Sequence, residues 1–247
     1  MQLNGKVALI TGGGTGLGKE IALGLAREGM RLAISYSRSK SDAEETAREA
    51  RALGIEAKTF QTDLAGTSES KGLVDEVHAV FGQLDLLIHN AGTTEFIPFP
   101  DLDAVTEEIW DRLFAVNTRS AFFLAQAAAP MLKQSRGQII TTTSVAGIKA
   151  GGSSLPYSVT KAALIHLTKG LAIALAPEVR VNSVAPGLLL TRWAAGFSKE
   201  QLQTTSDAAL LKQPTDIQDT ASAFVMLAKN GSMTGQVIVV DSGLLGK

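Results

Sequence analysis

Residues 7–18 read Val7-Ala8-Leu9-Ile10-Thr11-Gly12-Gly13-Gly14-Thr15-Gly16-Leu17-Gly18. This stretch is the strongest indication of the fold. Its apolar start is typical of a buried strand, and residues 19–28 continue with the composition of a helix. Glycines at such a junction permit positive φ, while the N–H groups and positive dipole at the helix start attract a diphosphate. The glycine spacing alone also fits a tight structural turn, but its place between the first strand and the first helix favours a nucleotide site. The predicted contacts are Gly12, Thr15, Gly16, Leu17 and Gly18.

Six more apolar runs follow, separated by longer helical stretches. The predicted strands are residues 6–11, 31–36, 57–61, 84–89, 138–143, 180–184 and 236–241, and the predicted helices are residues 16–28, 42–53, 68–81, 106–133, 155–176 and 217–227. The strands are apolar almost continuously, which is typical of parallel strands covered by helices on both faces. This β-α alternation predicts one α/β domain over residues 1–247, a doubly wound (Rossmann) seven-stranded parallel sheet whose ligand lies beyond the carboxyl ends of the strands.

Composition argues against several other classes of protein. The 23 basic and 24 acidic residues leave a net charge of -1, so no basic surface for nucleic acid is expected. The absence of cysteine excludes disulfides and thiolate ligands, and the three histidines, His78, His89 and His166, are too scattered to suggest a metal site. No run approaches the roughly 18 consecutive apolar residues of a membrane span. We expect a soluble, cytoplasmic protein with no nucleic-acid or membrane partner.

The end of the second predicted strand bears on cofactor choice. Residues 35–40 read Ser35-Tyr36-Ser37-Arg38-Ser39-Lys40, with no carboxylate to hold a ribose 2′-hydroxyl or repel a 2′-phosphate. Tyr36, Ser37 and Arg38 are therefore predicted to contact the nucleotide, with NADP(H) preferred over NAD(H). The alternative is that Arg38 and Lys40 are solvated loop charges.

Polar and small residues follow the third and fourth strands. Asp63 and Leu64 come after the third strand, and Asn90-Ala91-Gly92 after the fourth. At these positions they would reach an adenine edge and the cofactor ribose. Each group could instead cap a helix or shape a turn.

A tyrosine and a lysine on one helix are the candidate proton-transfer groups. Tyr157 and Lys161 are four residues apart, so they share a helix face, and a lysine ammonium near a phenol stabilises its phenolate. Ser144 ends the fifth strand, from where it could donate a hydrogen bond to a substrate oxygen. The alternative is that Tyr157 and Lys161 are helix residues without a catalytic role and that Ser144 is only part of the polar run 141–144.

One long late segment, residues 186–214, fits neither helical nor strand periodicity. We interpret residues 187–214 as a substrate lid; the alternative is a helical excursion packed by its own aromatic residues. Trp193 would be the main wall of an apolar substrate pocket. The pocket is predicted from Thr94, Phe96, Ser144, Val145, Leu155, Leu188, Trp193 and Phe197.

In these motifs and their order, the chain resembles the short-chain dehydrogenase/reductase family from end to end. The matching residues are Thr11-Gly12-x-x-x-Gly16-x-Gly18, Asp63, Asn90-Ala91-Gly92, Asn117, Ser144 with Tyr157-x-x-x-Lys161, and Pro186-Gly187. The resemblance implies that Tyr157 exchanges the proton, Ser144 orients the carbonyl, Lys161 binds the nicotinamide ribose and lowers the Tyr157 pKa, and Asn117 holds a relay water. It further implies that Pro186, Gly187 and Thr191 flank the nicotinamide, and that the protein is a homotetramer packed through the helices at 106–133 and 155–176.

Three positions depart from the family pattern. His89 stands where the family more often has a second asparagine, and Thr15 where many NADP-dependent members carry a basic residue. Ile173 lies near a position that is usually basic in relatives acting on acyl carrier protein, although Lys133 and Arg136 remain as a small basic site. The leading hypothesis is an NADP(H)-dependent reductase of ketones or related carbonyls. The alternatives are a 3-oxoacyl-[acyl-carrier-protein] reductase and a non-catalytic NADP(H)-sensing protein.

Overall fold

A seven-stranded sheet forms the centre of the computed structural model, which describes residues 2–66 and 68–246. The strands are β1 (Val7–Thr11), β2 (Arg31–Tyr36), β3 (Ala57–Gln61), β4 (Leu86–His89), β5 (Gln138–Thr142), β6 (Arg180–Pro186) and β7 (Val237–Val240). All neighbouring strands are parallel, in the order β3-β2-β1-β4-β5-β6-β7. The predicted seven-stranded parallel sheet is confirmed. Of the predicted domain 1–247, Met1, Thr67 and Lys247 lie outside the described residues.

Helices cover both faces of the sheet. They are α1 (Gly16–Arg27), α2 (Lys40–Ala52), α3 (Ser68–Phe81), α4 (Glu107–Phe114), α5 (Ser120–Ser135), α6 (Leu155–Leu175), α7 (Lys199–Ala208) and α8 (Ile217–Lys229). Residues of α1, α2 and α8 form the apolar core on one face, and residues of α3, α5 and α6 form the core on the other. This two-sided burial explains why the strand sequences are apolar without alternation.

The strand order reverses between β1 and β4. Consecutive crossovers leave in opposite directions from this point, so a crevice opens at the carboxyl ends of the two strands. The glycine turn after β1 and the Asn90-Ala91-Gly92 loop after β4 face each other there. The topology therefore places the predicted nucleotide residues at one site.

The helix predicted at 106–133 is present as a continuous helical segment at 107–135, but its middle is not α-helical. The structure has α4, a π-helical turn at Ala115–Arg119, and then α5, which continues to Ser135. In the π turn the Ser120 N–H donates to the Ala115 carbonyl, five residues back. Helical composition predicts the outer parts correctly but cannot distinguish a π turn from an α turn.

The segment at 187–214, interpreted above as a substrate lid, contains regular secondary structure. It holds a 3₁₀ turn at Arg192–Gly196 and then α7. A capping box begins α7: Ser198 Oγ accepts from Gln201 N, and the Gln201 side chain accepts from Ser198 N. This Ser-x-x-Gln signal was available in the sequence.

Helix α6 is the one described helix long and apolar enough to cross a membrane, judged by length and composition only. It nevertheless buries Ser158, Thr160 and Lys161 with hydrogen bonds to protein atoms, and its apolar residues contribute to the core. Core helices of globular domains pass the same length and composition test.

Candidate active site

The start of α1 is built to receive an anion. Its N-cap residue Thr15 makes no side-chain capping bond, and its first turn has no acidic residue. Gly16 has a φ of +50°, and a Cβ on Gly18 would collide with the carbonyl oxygen of Gly12. The first N–H groups of the helix therefore remain available, which fits a diphosphate.

A cavity of about 1230 Å³ runs from this turn along the carboxyl ends of the strands to Tyr157. This volume exceeds the ~300–1000 Å³ of ordinary small-molecule pockets and suits a dinucleotide with a substrate. Every residue predicted to bind the cofactor lines it: Gly12, Thr15, Gly16, Leu17, Gly18, Tyr36, Ser37, Arg38, Asp63, Leu64, Asn90, Ala91, Gly92, Tyr157, Lys161, Pro186, Gly187 and Thr191.

The Asn90 side chain joins three strand ends. Its Nδ2 donates to the carbonyl oxygens of Thr11 and Gly12, both at 3.2 Å, and its Oδ1 accepts from Thr142 Oγ1 at 3.2 Å. Thr11 Oγ1 in turn accepts from the Asn90 and Ala91 N–H groups at 3.0 Å each. Both amide protons of Asn90 are used within the protein, so its side chain serves mainly to fix the cavity floor.

Tyr157 and Ser144 meet at the far end of the cavity. The Ser144 side chain hydrogen-bonds the phenol, and its Oγ also accepts from Ala146 N at 3.1 Å. Burial raises the pKa of Tyr157 to about 12, while the bond from Ser144 acts in the opposite direction. At neutral pH the phenol therefore holds its proton and can donate it.

Lys161 lies beside Tyr157 but bonds elsewhere. Its Nζ donates to the Thr142 carbonyl at 2.8 Å and lies 5.8 Å from the centre of the Tyr157 ring. Burial lowers the pKa of Lys161 to about 8. The expected lowering of the Tyr157 pKa by Lys161 is not seen in this structure, because burial is the largest influence on the phenol and raises its pKa.

Asn117 is fully buried in the π turn and lies behind the cavity wall. Its Oδ1 accepts from Thr93 N at 2.8 Å, and its Nδ2 donates to Thr93 O at 2.9 Å and to Thr160 Oγ1 at 3.1 Å. Both amide protons of Asn117 are thus used within the protein, and the side chain ties the loop after β4 to α6. The role of Asn117 in holding a relay water stays a prediction.

The substrate end contains five of the predicted pocket residues: Ser144, Val145, Leu188, Trp193 and Phe197. Thr94, Phe96 and Leu155 lie outside its wall. Thr94 Oγ1 bonds Ser153 Oγ, and the Phe96 ring packs edge-on against Phe197 and covers Gly196. Leu155 is the first residue of α6.

The 3₁₀ turn brings two side chains over the cavity. The Trp193 ring centre lies 5.7 Å from that of Tyr157. A Cβ built on Gly92 would lie 3.7 Å from both Trp193 Cη2 and Lys161 Nζ, so the three groups converge. Arg192 forms a two-pronged ion pair with Asp42 of α2, at 2.7 and 2.8 Å.

Comparison with known proteins identifies the family. A family model described as "Enoyl-(Acyl carrier protein) reductase" matches residues 12–245. The chain is 38% identical to the 3-oxoacyl-[acyl-carrier-protein] reductase FabG of Staphylococcus aureus (strain Mu50), over 97% of this chain and 98% of that protein. The chain belongs to the short-chain dehydrogenase/reductase family. It is accordingly an oxidoreductase acting on CH–OH and C=O groups.

Solved structures of short-chain dehydrogenases share the whole fold. One is a short-chain dehydrogenase from Burkholderia cenocepacia J2315 in complex with NADP, 32% identical, with a TM-score of 0.92 over 99% of this chain and 100% of that one. Another is a 7α-hydroxysteroid dehydrogenase complexed with NADH and 7-oxo glycochenodeoxycholic acid, 30% identical, with a TM-score of 0.91 over 98% and 95%. The two relatives hold different nicotinamide cofactors.

Sequence reasoning missed several residues that line the cavity of this short-chain dehydrogenase/reductase. Arg192 and Gln201 come from the segment after β6, and Leu244 and Leu245 from the chain after β7. The two leucines follow the end of a parallel strand, so the rule that led to Ser144 could have found them. Arg192 gave no such signal, because its partner Asp42 is 150 residues away.

Within residues 2–66 and 68–246, no cluster of three or more His, Asp or Glu side chains is arranged to hold a metal ion.

Proposed function

We propose that the protein is an NADP(H)-dependent reductase that converts a ketone or related carbonyl into an alcohol. The observation that carries this proposal is the meeting of Ser144, Tyr157 and Lys161 in the same cavity as a glycine turn open to a diphosphate. When bound, the nicotinamide supplies the hydride. The protein then has to align the carbonyl, stabilise charge on its oxygen and deliver a proton.

Each of these tasks has a residue. The protonated Tyr157 phenol donates to the carbonyl oxygen, and Ser144 hydrogen-bonds the same oxygen. Lys161, still mostly an ammonium at neutral pH because its pKa is about 8, offsets negative charge left on the phenol. Val145, Leu188 and Trp193 provide apolar walls that exclude water from the reacting groups.

The cofactor preference rests on Arg38. Its exposed side chain makes no hydrogen bond or ion pair with any described residue, and it lines the cavity beside Ser37. A free guanidinium is suited to a 2′-phosphate, which it binds through charge-assisted hydrogen bonds. The relative solved with NADP supports this assignment, whereas the relative solved with NADH shows that the fold accepts either dinucleotide.

Replacing one hydroxyl tests the proposal. Tyr157→Phe should lower turnover of an activated ketone by about 10³-fold, because the proton donor is lost, while NADPH affinity changes little. Turnover is followed by loss of NADPH absorbance, and binding by NADPH fluorescence. Retained turnover in this variant would overturn the assignment. If the parent protein binds NADPH but reduces no ketone in a broad panel, a sensing function is favoured instead.

A second candidate is reduction of 3-oxoacyl groups on acyl carrier protein. It is supported by the 38% identity to a protein of that name. Against it, Ile173, near the position expected to be basic, is 81% exposed and offers no charge to an acidic carrier. The ratio of kcat/KM for a carrier-bound 3-oxoacyl group to kcat/KM for the matching small thioester separates the two functions. A ratio well above 1 favours the carrier substrate.

A further inference from the structure

His89 ends β4 directly before the Asn90-Ala91-Gly92 loop and is 1% exposed. Its Nε2 lies 2.7 Å from Ser120 Oγ, and Ser120 Oγ lies 2.7 Å from the carbonyl oxygen of Val116. No described residue accepts from or donates to His89 Nδ1. The imidazole is thus the first member of a buried chain that crosses from the sheet to the π turn.

The proton positions in this hydrogen-bond chain follow from its last acceptor, the Val116 carbonyl. The Val116 carbonyl only accepts, so the single hydroxyl proton of Ser120 goes to it. Ser120 Oγ must then accept from His89, which places the ring proton on Nε2 and leaves Nδ1 unprotonated. Burial, with a smaller influence of the Lys161 charge, lowers the pKa of His89 to about 3, consistent with a neutral ring.

This hydrogen-bond chain supplies a donor for the Val116 carbonyl, which loses its usual helical partner in the π turn. In a regular α-helix the Ser120 N–H would donate to Val116, four residues back. Here that N–H donates to Ala115, and the Ser120 hydroxyl takes over the Val116 carbonyl. The bond from His89 fixes the hydroxyl in the orientation that this exchange requires. The neighbouring residue in the turn is Asn117, which is bonded to Thr93 and to Thr160 of the catalytic helix α6.

We propose that His89 is a positioning residue which, through Ser120, holds the π turn at Ala115–Arg119 and so sets Asn117 and α6 relative to the catalytic groups. This inference rests on the proposed reductase function of the site. His89 has no hydrogen bond to a catalytic side chain and reaches the π turn through Ser120 and the Val116 carbonyl. The glycine turn is held by Asn90, whose own bonds to Thr11, Gly12 and Thr142 do not involve Ser120 or the π turn, so loss of the chain acts on turnover more than on cofactor binding.

Matched variants test the role of His89 as the hydrogen-bond donor to Ser120. His89→Leu removes it, Ser120→Ala removes the acceptor, and His89→Gln restores an N–H at about the reach of Nε2. His89→Leu and Ser120→Ala should each lower kcat at least about tenfold, with the KM for NADPH changed less than about twofold. His89→Gln should recover kcat to within about threefold of the parent. The double variant should be no slower than the worse single variant, because the two residues act as one unit.

A measurement on the unaltered protein tests the proton assignment independently of activity. In protein labelled with ¹⁵N-histidine, His89 should show the nitrogen shifts of a neutral ring with its proton on Nε2. The His89→Gln spectrum assigns it among the three histidines. A proton on Nδ1, equal kcat in the Leu and Gln variants, or additive losses in the double variant would each overturn the proposal. The spectrum needs no turnover, so it remains decisive if the reductase function fails.

Discussion

Tyr157 and Lys161 lie on one helix face and both hold their protons at neutral pH, although burial shifts their pKa values in opposite directions. Burial disfavours the charged form of each, so it raises the pKa of Tyr157 to about 12 and lowers that of Lys161 to about 8. The phenol remains a proton donor throughout the working range, whereas the ammonium is the group that titrates first. The pH dependence of the reaction should therefore report Lys161.

We expect kcat/KM for carbonyl reduction to fall as pH rises through about 8, because the ammonium of Lys161 loses its proton there. In Lys161→Arg, a guanidinium that stays charged should remove this falling limb, at a lower absolute rate. If kcat/KM falls near pH 8 in both proteins, the titrating group is not Lys161. The pKa of Lys161 in the folded protein lies below the ordinary lysine value of 10.5, so the Lys161 contribution to stability rises with pH between about 8 and 10.5.

Arg38 should determine the cofactor. Arg38→Ala should raise the KM for NADPH roughly tenfold to 100-fold and leave that for NADH nearly unchanged, because one or two charge-assisted bonds to a 2′-phosphate are lost. Arg48→Ala is the matched control, since Arg48 is exposed on α2 and paired with Glu45. The two KM values are compared by steady-state kinetics. If Arg38→Ala changes the KM values for NADPH and NADH equally, Arg38 is a solvated loop charge with no role in cofactor choice.

The sequence predicts which residues reach the cavity better than it predicts which contacts they make there. Asp63, Asn90 and Ser144 follow parallel strands, so topology alone places them at one edge of the sheet. Thr94 and Phe96 also follow a strand, but Thr94 hydrogen-bonds Ser153, Phe96 packs against Phe197, and neither lines the cavity. The burial of Tyr157, which is the largest influence on its pKa, cannot be read from a four-residue spacing, and the effect of Lys161 on the phenol stays a prediction.

At the scale of elements, the ion pair between Arg192 and Asp42 links the 3₁₀ turn that carries Trp193 to the start of α2. Arg192 lines the cavity wall, and Asp42 lies in the first turn of α2, four residues after the cavity residue Arg38. Hydrogen bonding from Arg192 holds the pKa of the Asp42 carboxyl below its usual range, so the pair persists at neutral pH.

We expect Asp42→Asn and Arg192→Gln each to speed NADPH dissociation roughly twofold to fivefold, because the pair helps to hold the turn across the bound cofactor. Stopped-flow fluorescence measures the rate, and the melting temperature should not change. Glu45→Gln, which breaks an exposed pair within α2, is the control. Opposite effects of the two variants would show that the charges act on the cofactor directly and not through the turn.

The π turn marks the limit of prediction for elements. Residues 115–119 include Val, Asn and Thr, which are weak helix formers, but nothing in them distinguishes a π turn from an α turn. The change of hydrogen bonding depends on Ser120, His89 and Asn117, with partners on other elements. By contrast, the capping box of α7 lies within four residues, and attention to it would have predicted a helix in the segment after β6.

At the scale of the whole molecule, seven continuous apolar strands and the alternating helices determine a parallel sheet with two covered faces. The same pattern does not say which apolar helix residues stay outside the core. Phe122 on α5 and Val159 and Ile173 on α6 are 41%, 36% and 81% exposed. Val159 and Ile173 are 14 residues apart, close to four helical turns, so they share a face of α6.

We expect this face to be covered by other copies of the chain in a homotetramer, since exposed apolar side chains on long helices are typical of subunit contacts. Light scattering should give a particle of about 104 kDa, four times the 25.9 kDa chain. Phe122→Asp combined with Ile173→Asp should yield smaller particles, because each contact would bury unpaired charges. Leu53→Asp, at a residue 50% exposed after α2, should leave the mass unchanged. A parent protein of 25.9 kDa in solution would contradict the tetramer.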